Sequence, residues 1–355
     1  MYRKKLSTEI SKKEDLLKEK MMNCILKNSS SKEVYIKNSE HERIKSDLSF
    51  ILNYLSDSIH FKNNELFYDF SFWLKEHLEN LDSKKRNFFR YFDCLKEVIK
   101  RNFSSKKYEY IVKIINKSEQ KINSKANENK SFINEKNKKG KMAKKYLDYI
   151  LNYKKQEAVN FILNEVKNEL SIEEIYLDIF QVAQREIGRL WHNNEISIAQ
   201  EHYASLITQL IISQLYPEIL SSSNNKAKVL TTAIGNELHE IGIRMIADLL
   251  DIDGFDTIHL GANTPTSTII ETIINEDVHF MGISVTIASH LKELEKLLFE
   301  IRSNEKISNI KIMVVGYAFN KDKERWKDFA VDAYSPNAKD AVKKMNELYR
   351  RSNNE

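Results

Sequence analysis

Three prolines and eight glycines in 355 residues leave this chain short of the residues that interrupt regular structure. They are also unevenly placed: the first glycine is Gly140 and the first proline is Pro217. The first third therefore lacks the strongest breakers and is expected to be helical. Cysteine is as scarce. Cys24 and Cys94 make no CxxC or zinc-type spacing, so neither a zinc site nor a disulfide framework is expected. The N-terminus has no apolar segment of the signal-peptide kind. No run reaches the roughly 18 apolar residues of a spanning helix; residues 206–220 come nearest and are broken by Thr208, Gln209, Ser213, Gln214 and Pro217. These absences predict a cytoplasmic chain in a reducing compartment, away from the membrane.

A strong excess of one charge is missing too. Fifty-six basic against 51 acidic residues give a formal net charge of +5. A nucleic-acid surface needs positive charge gathered on one face, yet acidic residues interleave with Lys4, Lys5, Lys12, Lys13, Lys18 and Lys20. Direct DNA binding is not expected.

What is present is periodic apolar patterning. Residues 1–39 read as a basic, poorly ordered start: a basic helical segment, then a Ser/Asn/Lys stretch, with little packing. Over 40–117, three stripes at helical spacing (Ile44 to Ile59, Leu66 to Leu78, Phe88 to Ile99) predict a helical domain whose aromatics are core. Residues 118–141 are polar and read as a linker. Four helical patterns then fill 142–222, the third opened by a capping box at Ser171-Ile172-Glu173-Glu174 and the fourth beginning near Ser197. They predict a four-helix bundle. From 227 to 352 the grammar alternates. Short apolar runs at Val229–Ile234, Thr257–Leu260, Phe280–Val285, Ile310–Val315 and Ala330–Tyr334 are separated by helical segments. That alternation predicts a doubly wound, five-stranded parallel sheet of Rossmann-like kind. Ligands sit at the carboxyl ends of such strands, and His239, Thr264, Ser284, Thr286 and Gly316 all fall just beyond strand ends.

His239 lies on the loop between the first strand and the first helix of this domain. Gly235 and Gly242 do not make the closely spaced glycines of a dinucleotide loop. The loop offers an imidazole instead, a good ligand for cobalt, iron or zinc. Glu237, two residues earlier, is placed to accept the proton of the other ring nitrogen.

Glu237-x-His239-x-x-Gly242 resembles the cobalamin-binding motif whose commonest form is Asp-x-His-x-x-Gly. Ser284-Val285-Thr286 resembles the element beside the nucleotide tail. Gly316-Tyr317 stands where that family often has Gly-Gly, the Tyr reshaping the tail pocket. The resemblance covers about 145–350 and implies that His239 is the lower axial cobalt ligand, with Glu237, Gly242, Ser284, Thr286, Gly316 and Tyr317 around the cofactor.

Within the four-helix segment, Trp191-x9-Glu201-His202 is similar to the motif of CarH-type adenosylcobalamin photoreceptors. That resemblance implies a bundle that caps the cofactor: Trp191 over the upper ligand, Glu201 on its ribose, His202 as polar neighbour and Ile198 as apolar wall. It implies His192 as the upper ligand once light has broken the cobalt–carbon bond. The photoreceptors' MerR-type DNA-binding domain has no counterpart here. The expectation is therefore a cobalamin-binding, light-responsive regulator without enzymatic activity, favouring adenosylcobalamin over methylcobalamin. It would signal through a protein partner or a change of homo-oligomeric state. The alternative is a corrinoid methyl carrier of a methyltransferase system, which shares the His motif and the helical cap.

Overall fold

The computed structural model describes residues 2–27, 38–81, 88–124, 130–219, 226–320 and 323–353. The chain divides into two compact units: Met1–Asn129 together with His192–Asn194, and Lys130–Trp191 together with Glu195–Glu355.

The first unit is helical throughout its described residues: α1 (Tyr2–Lys12), α2 (Glu14–Lys27), α3 (Asn38–His60), α4 (Glu65–Leu81), α5 (Phe88–Asn102) and α6 (Ser105–Ser124). The three expected stripes are its core: Leu48, Ile51, Phe67, Leu74, Phe92 and Leu95 are all buried. Two findings differ from the sequence reading. Residues 2–27, expected as a helical segment with little packing, are two well-packed helices, because Leu6, Ile10, Leu17 and Met21 recur at helical spacing and bury completely under the lysines. The remainder of the supposed poorly ordered start, residues 28–37, lies outside the described residues. The supposed linker begins as helix, since Ile114, Ile115 and Ile122 carry α6 to Ser124. Cys24 and Cys94 are joined by a disulfide, Cα to Cα 5.7 Å, contrary to the expectation of unpaired thiols. Their sequence separation of 70 hid a proximity that only the packing of α2 on α5 creates.

The second unit starts with the expected bundle: α7 (Lys138–Leu151), α8 (Lys155–Lys167), α9 (Ile172–Glu174), a π-helical turn (Ile175–Phe180), α10 (Gln181–His192), α11 (Ile198–Gln214) and the short α12 (Tyr216–Ile219). Capping boxes open two of these helices. Ser171 pairs with Glu174, and Ser197 with Gln200, each satisfying backbone N–H groups the helix leaves free.

The sheet follows: β1 (Lys228–Ala233), α13 (Ile241–Ile252), β2 (Asp256–Gly261), α14 (Thr266–Asn275), β3 (Phe280–Ser284), α15 (Leu291–Arg302), β4 (Lys311–Val315), α16 (Tyr317–Asn320), β5 (Ala333–Ser335) and α17 (Ala338–Ser352). All strands are parallel, in the order β2-β1-β3-β4-β5. β1, β3 and β4 are buried along nearly their whole length, as strands covered on both faces must be. Val229, Ala233, Phe280, Met313 and Val315 share one apolar core with α13, α17 and the bundle residues Tyr146, Tyr176, Phe180 and Ile187. Bundle and sheet are thus one packed body. The expected architecture, helices followed by a five-stranded parallel Rossmann-like domain, is the one observed.

Strand order decides where a site can form. From β1 the chain moves outward to β2, then returns to β3 on the other side of β1. Right-handed crossovers put α13 and α14 on opposite faces, so their loops part above β1 and β3 and leave a crevice at the carboxyl ends of these strands.

Candidate functional site

Two loops meet at that crevice, 234–240 after β1 and 285–290 after β3. Their hub is Glu237, whose carboxylate is wholly buried. Its Oε1 faces His239 Nδ1 and also accepts the His239 backbone N–H at 3.2 Å. Its Oε2 accepts the backbone N–H groups of Thr286 and Ile287, each at 2.9 Å, and faces His290 Nδ1 at 3.2 Å. Burial by itself raises the pKa of this carboxyl. The hydrogen bonds from His239, His290 and the Ile287 amide outweigh burial and hold it far below the usual carboxylate range. The same hydrogen bond, donated to Glu237, raises the pKa of His239 against its partial burial, helped by the charges of Glu237 and Glu201. His239 is thereby fixed in one orientation. With Nδ1 committed to Glu237, Nε2 is the nitrogen it can offer to a ligand, on a side chain 60% exposed.

His290 belongs to none of the sequence motifs, yet the structure puts it on the same carboxylate as His239. Glu240 is another residue that the motifs do not mark. It accepts the Ala262 N–H after β2 at 2.9 Å and Gln209 Nε2 of α11 at 3.1 Å, tying the His239 loop to the bundle.

The remaining sheet-side residues lie at or just beyond strand ends. Ser284 ends β3, nearly buried, and its carbonyl accepts the Ile234 N–H at 3.1 Å. Gly316 follows β4 with φ +108°, and a Cβ there would lie 2.3 Å from the Val285 carbonyl oxygen. Only glycine serves this turn. Gly242 is the opposite case: a Cβ on it would meet nothing within 4 Å, so open volume adjoins the first turn of α13. Tyr317 is exposed at the start of α16.

On the bundle, Glu201 and His202 sit in the first turn of α11, Glu201 Oε2 and His202 Nδ1 2.6 Å apart. Ser205 donates to Glu201 Oε1 at 3.1 Å. Ile198, the first residue of α11, is 59% exposed. Trp191 is half-buried near the end of α10. His192, adjacent in sequence, groups with the first unit. There its Nε2 lies 3.0 Å from Glu76 Oε2 and its ring stacks on Trp73 at 5.5 Å.

A B12 binding domain model matches residues 227–343, and a second B12 binding domain model matches residues 142–216. The second unit is a cobalamin-binding module. Over 203 residues the chain is 22% identical to dimethylamine corrinoid protein 3 of Methanosarcina acetivorans, covering 57% of this chain and 93% of that one. Over 214 residues it is 24% identical to the dimethylamine corrinoid protein of Methanosarcina barkeri, covering 59% and 98%. The solved structure of the Methanosarcina barkeri monomethylamine corrinoid protein superposes with a TM-score of 0.52 at 19% identity, over 57% of this chain and 96% of that one, and is a likeness of fold.

The residues present fit the cofactor of such a module. Bound cobalamin would need a neutral nitrogen donor from the protein, and an imidazole is such a donor. His239 is a single imidazole, locked by a buried carboxylate and facing outward. Gly242 leaves open space at the first turn of α13, and Gly316 lets the turn after β4 approach Val285 of the loop after β3.

Proposed function

We propose that the cobalamin-binding module serves a corrinoid methyl carrier, which passes a methyl group between methyltransferase proteins. The observation that carries the reading is the buried Glu237 holding His239 Nδ1. It stands in a bundle-plus-sheet body that spans more than nine-tenths of its methylamine corrinoid relatives. Bound cobalamin supplies a cobalt that accepts a methyl group and gives it up again. His239 Nε2 would be the nitrogen that holds the cobalt. Glu237 keeps Nδ1 engaged, so that the donor strength of Nε2 follows the hydrogen bond behind it. Thr286, Ile287 and His290 hold Glu237. Ile198, Glu201 and His202, at the start of α11, would line the cofactor from the bundle and limit water. The chain's partners are then proteins that bind methyl donors and acceptors, and methylcobalamin is the working form.

A second reading rests on Trp191-x9-Glu201-His202, the photoreceptor-like motif: an adenosylcobalamin light sensor in which His192 takes the upper position after photolysis. One pair of experiments separates the two. The full chain is loaded with methylcobalamin under anaerobic conditions and given a thiol acceptor with an acceptor-side methyltransferase. In parallel it is loaded with adenosylcobalamin in the dark and then illuminated. A carrier loses its methyl group to the thiol faster than free methylcobalamin does, and illumination changes its spectrum no more than that of free cofactor. Methyl loss no faster than from free cofactor, with a light-driven change in elution volume that His192→Ala abolishes, overturns the carrier in favour of the sensor.

A further inference from the structure

Outside the cofactor module, the first unit holds a feature with chemistry of its own. The chain has two cysteines, so each has one possible partner within it, and the two are bonded. Cys24 lies in the last turn and a half of α2, and Cys94 lies mid-way along α5. Cys94 is 2% exposed among core side chains, whereas Cys24 is only partly covered. The same end of α2 meets α5 at two further points: Arg90 donates to the Ile25 carbonyl, one of the carbonyls a helix end leaves without an intrahelical partner, and Glu97 lies 3.6 Å from Cys24 Sγ. The N-terminal half of α2 is held by Lys18 to Ser49 of α3 and by Lys20 to Asn102 at the end of α5. α2 is 14 residues long, too short to persist on propensity alone once its packing loosens.

We propose that Cys24–Cys94 is a redox-operated staple that sets whether the C-terminal half of α2 stays docked on α5. A low-molecular-weight thiol attacks the accessible Cys24 sulfur, and Cys94 leaves as the buried thiolate and takes up a proton. A second thiol then attacks the mixed disulfide and releases Cys24. The two small thiols depart joined as their disulfide, and the protein has gained two electrons and two protons. Opened, the end of α2 keeps its apolar contacts and the Arg90 hydrogen bond but loses the covalent tie across a separation of 70 residues.

The test uses the full chain and needs no cofactor. Chain prepared in air is alkylated with iodoacetamide before and after reduction, then mapped by mass spectrometry. No label before and two labels after are expected; full labelling of both cysteines before reduction overturns the proposal. Hydrogen exchange is next followed in millimolar reduced glutathione and again after return to oxidised glutathione. Amides of Met21–Lys27 should exchange at least about tenfold faster in the reduced chain and recover on reoxidation, while β1 and β3 stay unchanged. A bond that survives glutathione, or exchange that is the same in both states, overturns it. Cys94→Ser puts a hydroxyl in the core and can prevent folding, so Cys24→Ser is the deciding variant. It should match the reduced chain and ignore glutathione; exchange like the oxidised chain would sink the idea.

Discussion

At the scale of single residues, the site turns on one carboxylate with five donor groups around it, from four residues. Glu237 stands where the common motif has Asp, and its extra methylene lets one side chain serve both the loop after β1 and the loop after β3. Glu237→Gln keeps the shape but turns an NH2 toward groups that are themselves donors. We expect cobalamin affinity to fall by about 10- to 100-fold, read by absorbance titration with methylcobalamin. An affinity within threefold of wild type (about 0.7 kcal/mol) would mean that Glu237 does not orient the lower ligand. His290→Asn retains an N–H donor and should lose less affinity than His290→Ala in the same titration; equal losses would leave the His290 hydrogen bond without a role. The Glu237–His239 pair was legible in sequence because the two are adjacent on one loop. His290 was not: 53 residues separate it from Glu237, and only the β1–β3 neighbourhood brings them together.

At the scale of elements, strand-end turns fix what each loop can present. The turn from β4 to α16 needs Gly316 twice over, for its positive φ and for the carbonyl of Val285. Gly316→Ala is expected to destabilise the second unit by about 2–3 kcal/mol. Gly242→Ala, in open space at a helix start, should leave stability within about 1 kcal/mol. It should still weaken cobalamin binding, because the added methyl enters volume meant for the tail. Urea unfolding and cofactor titration of both variants check this pair, and unchanged binding in Gly242→Ala would place the tail elsewhere. Elements built on one strong period were readable from sequence, including every strand of the sheet and the capping box at Ser171. The packing of α1 and α2 was not, since their dense lysines hid four buried apolar positions, and neither were the second capping box at Ser197 and the π-helical turn at Ile175–Phe180, which uses the same residue types as an α-helix.

Across the whole second unit, stability depends on buried groups far from the cofactor crevice. Asp248 on α13 accepts a hydrogen bond from Tyr176 of the bundle at 2.7 Å, with 4% of its surface exposed. Burial pushes its pKa up to about 6, against the opposing pull of Tyr176 and Arg244. A carboxyl whose folded pKa is raised contributes stability that is fully present below its unfolded value, near 3.8, and is lost as pH rises through about 6. His259 on β2, bonded to Thr231 at 3.0 Å, goes the other way: burial, with the Arg244 charge adding to it, lowers its pKa to about 4. Its contribution is present above 6.5 and is lost as pH falls through 4. Each spans about 3 kcal/mol, with opposite slopes over the same window, so the wild type conceals both. Asp248→Asn keeps an oxygen acceptor for Tyr176 and removes one slope. Relative to wild type, it should gain about 3 kcal/mol between pH 4 and pH 7. The measurement is urea unfolding followed by tryptophan fluorescence, in a Trp73→Phe background that leaves Trp191 and Trp326 of the second unit to report. A wild-type–variant difference that is flat across that range would show that Asp248 titrates normally and that the bundle–sheet contact carries no buried acid.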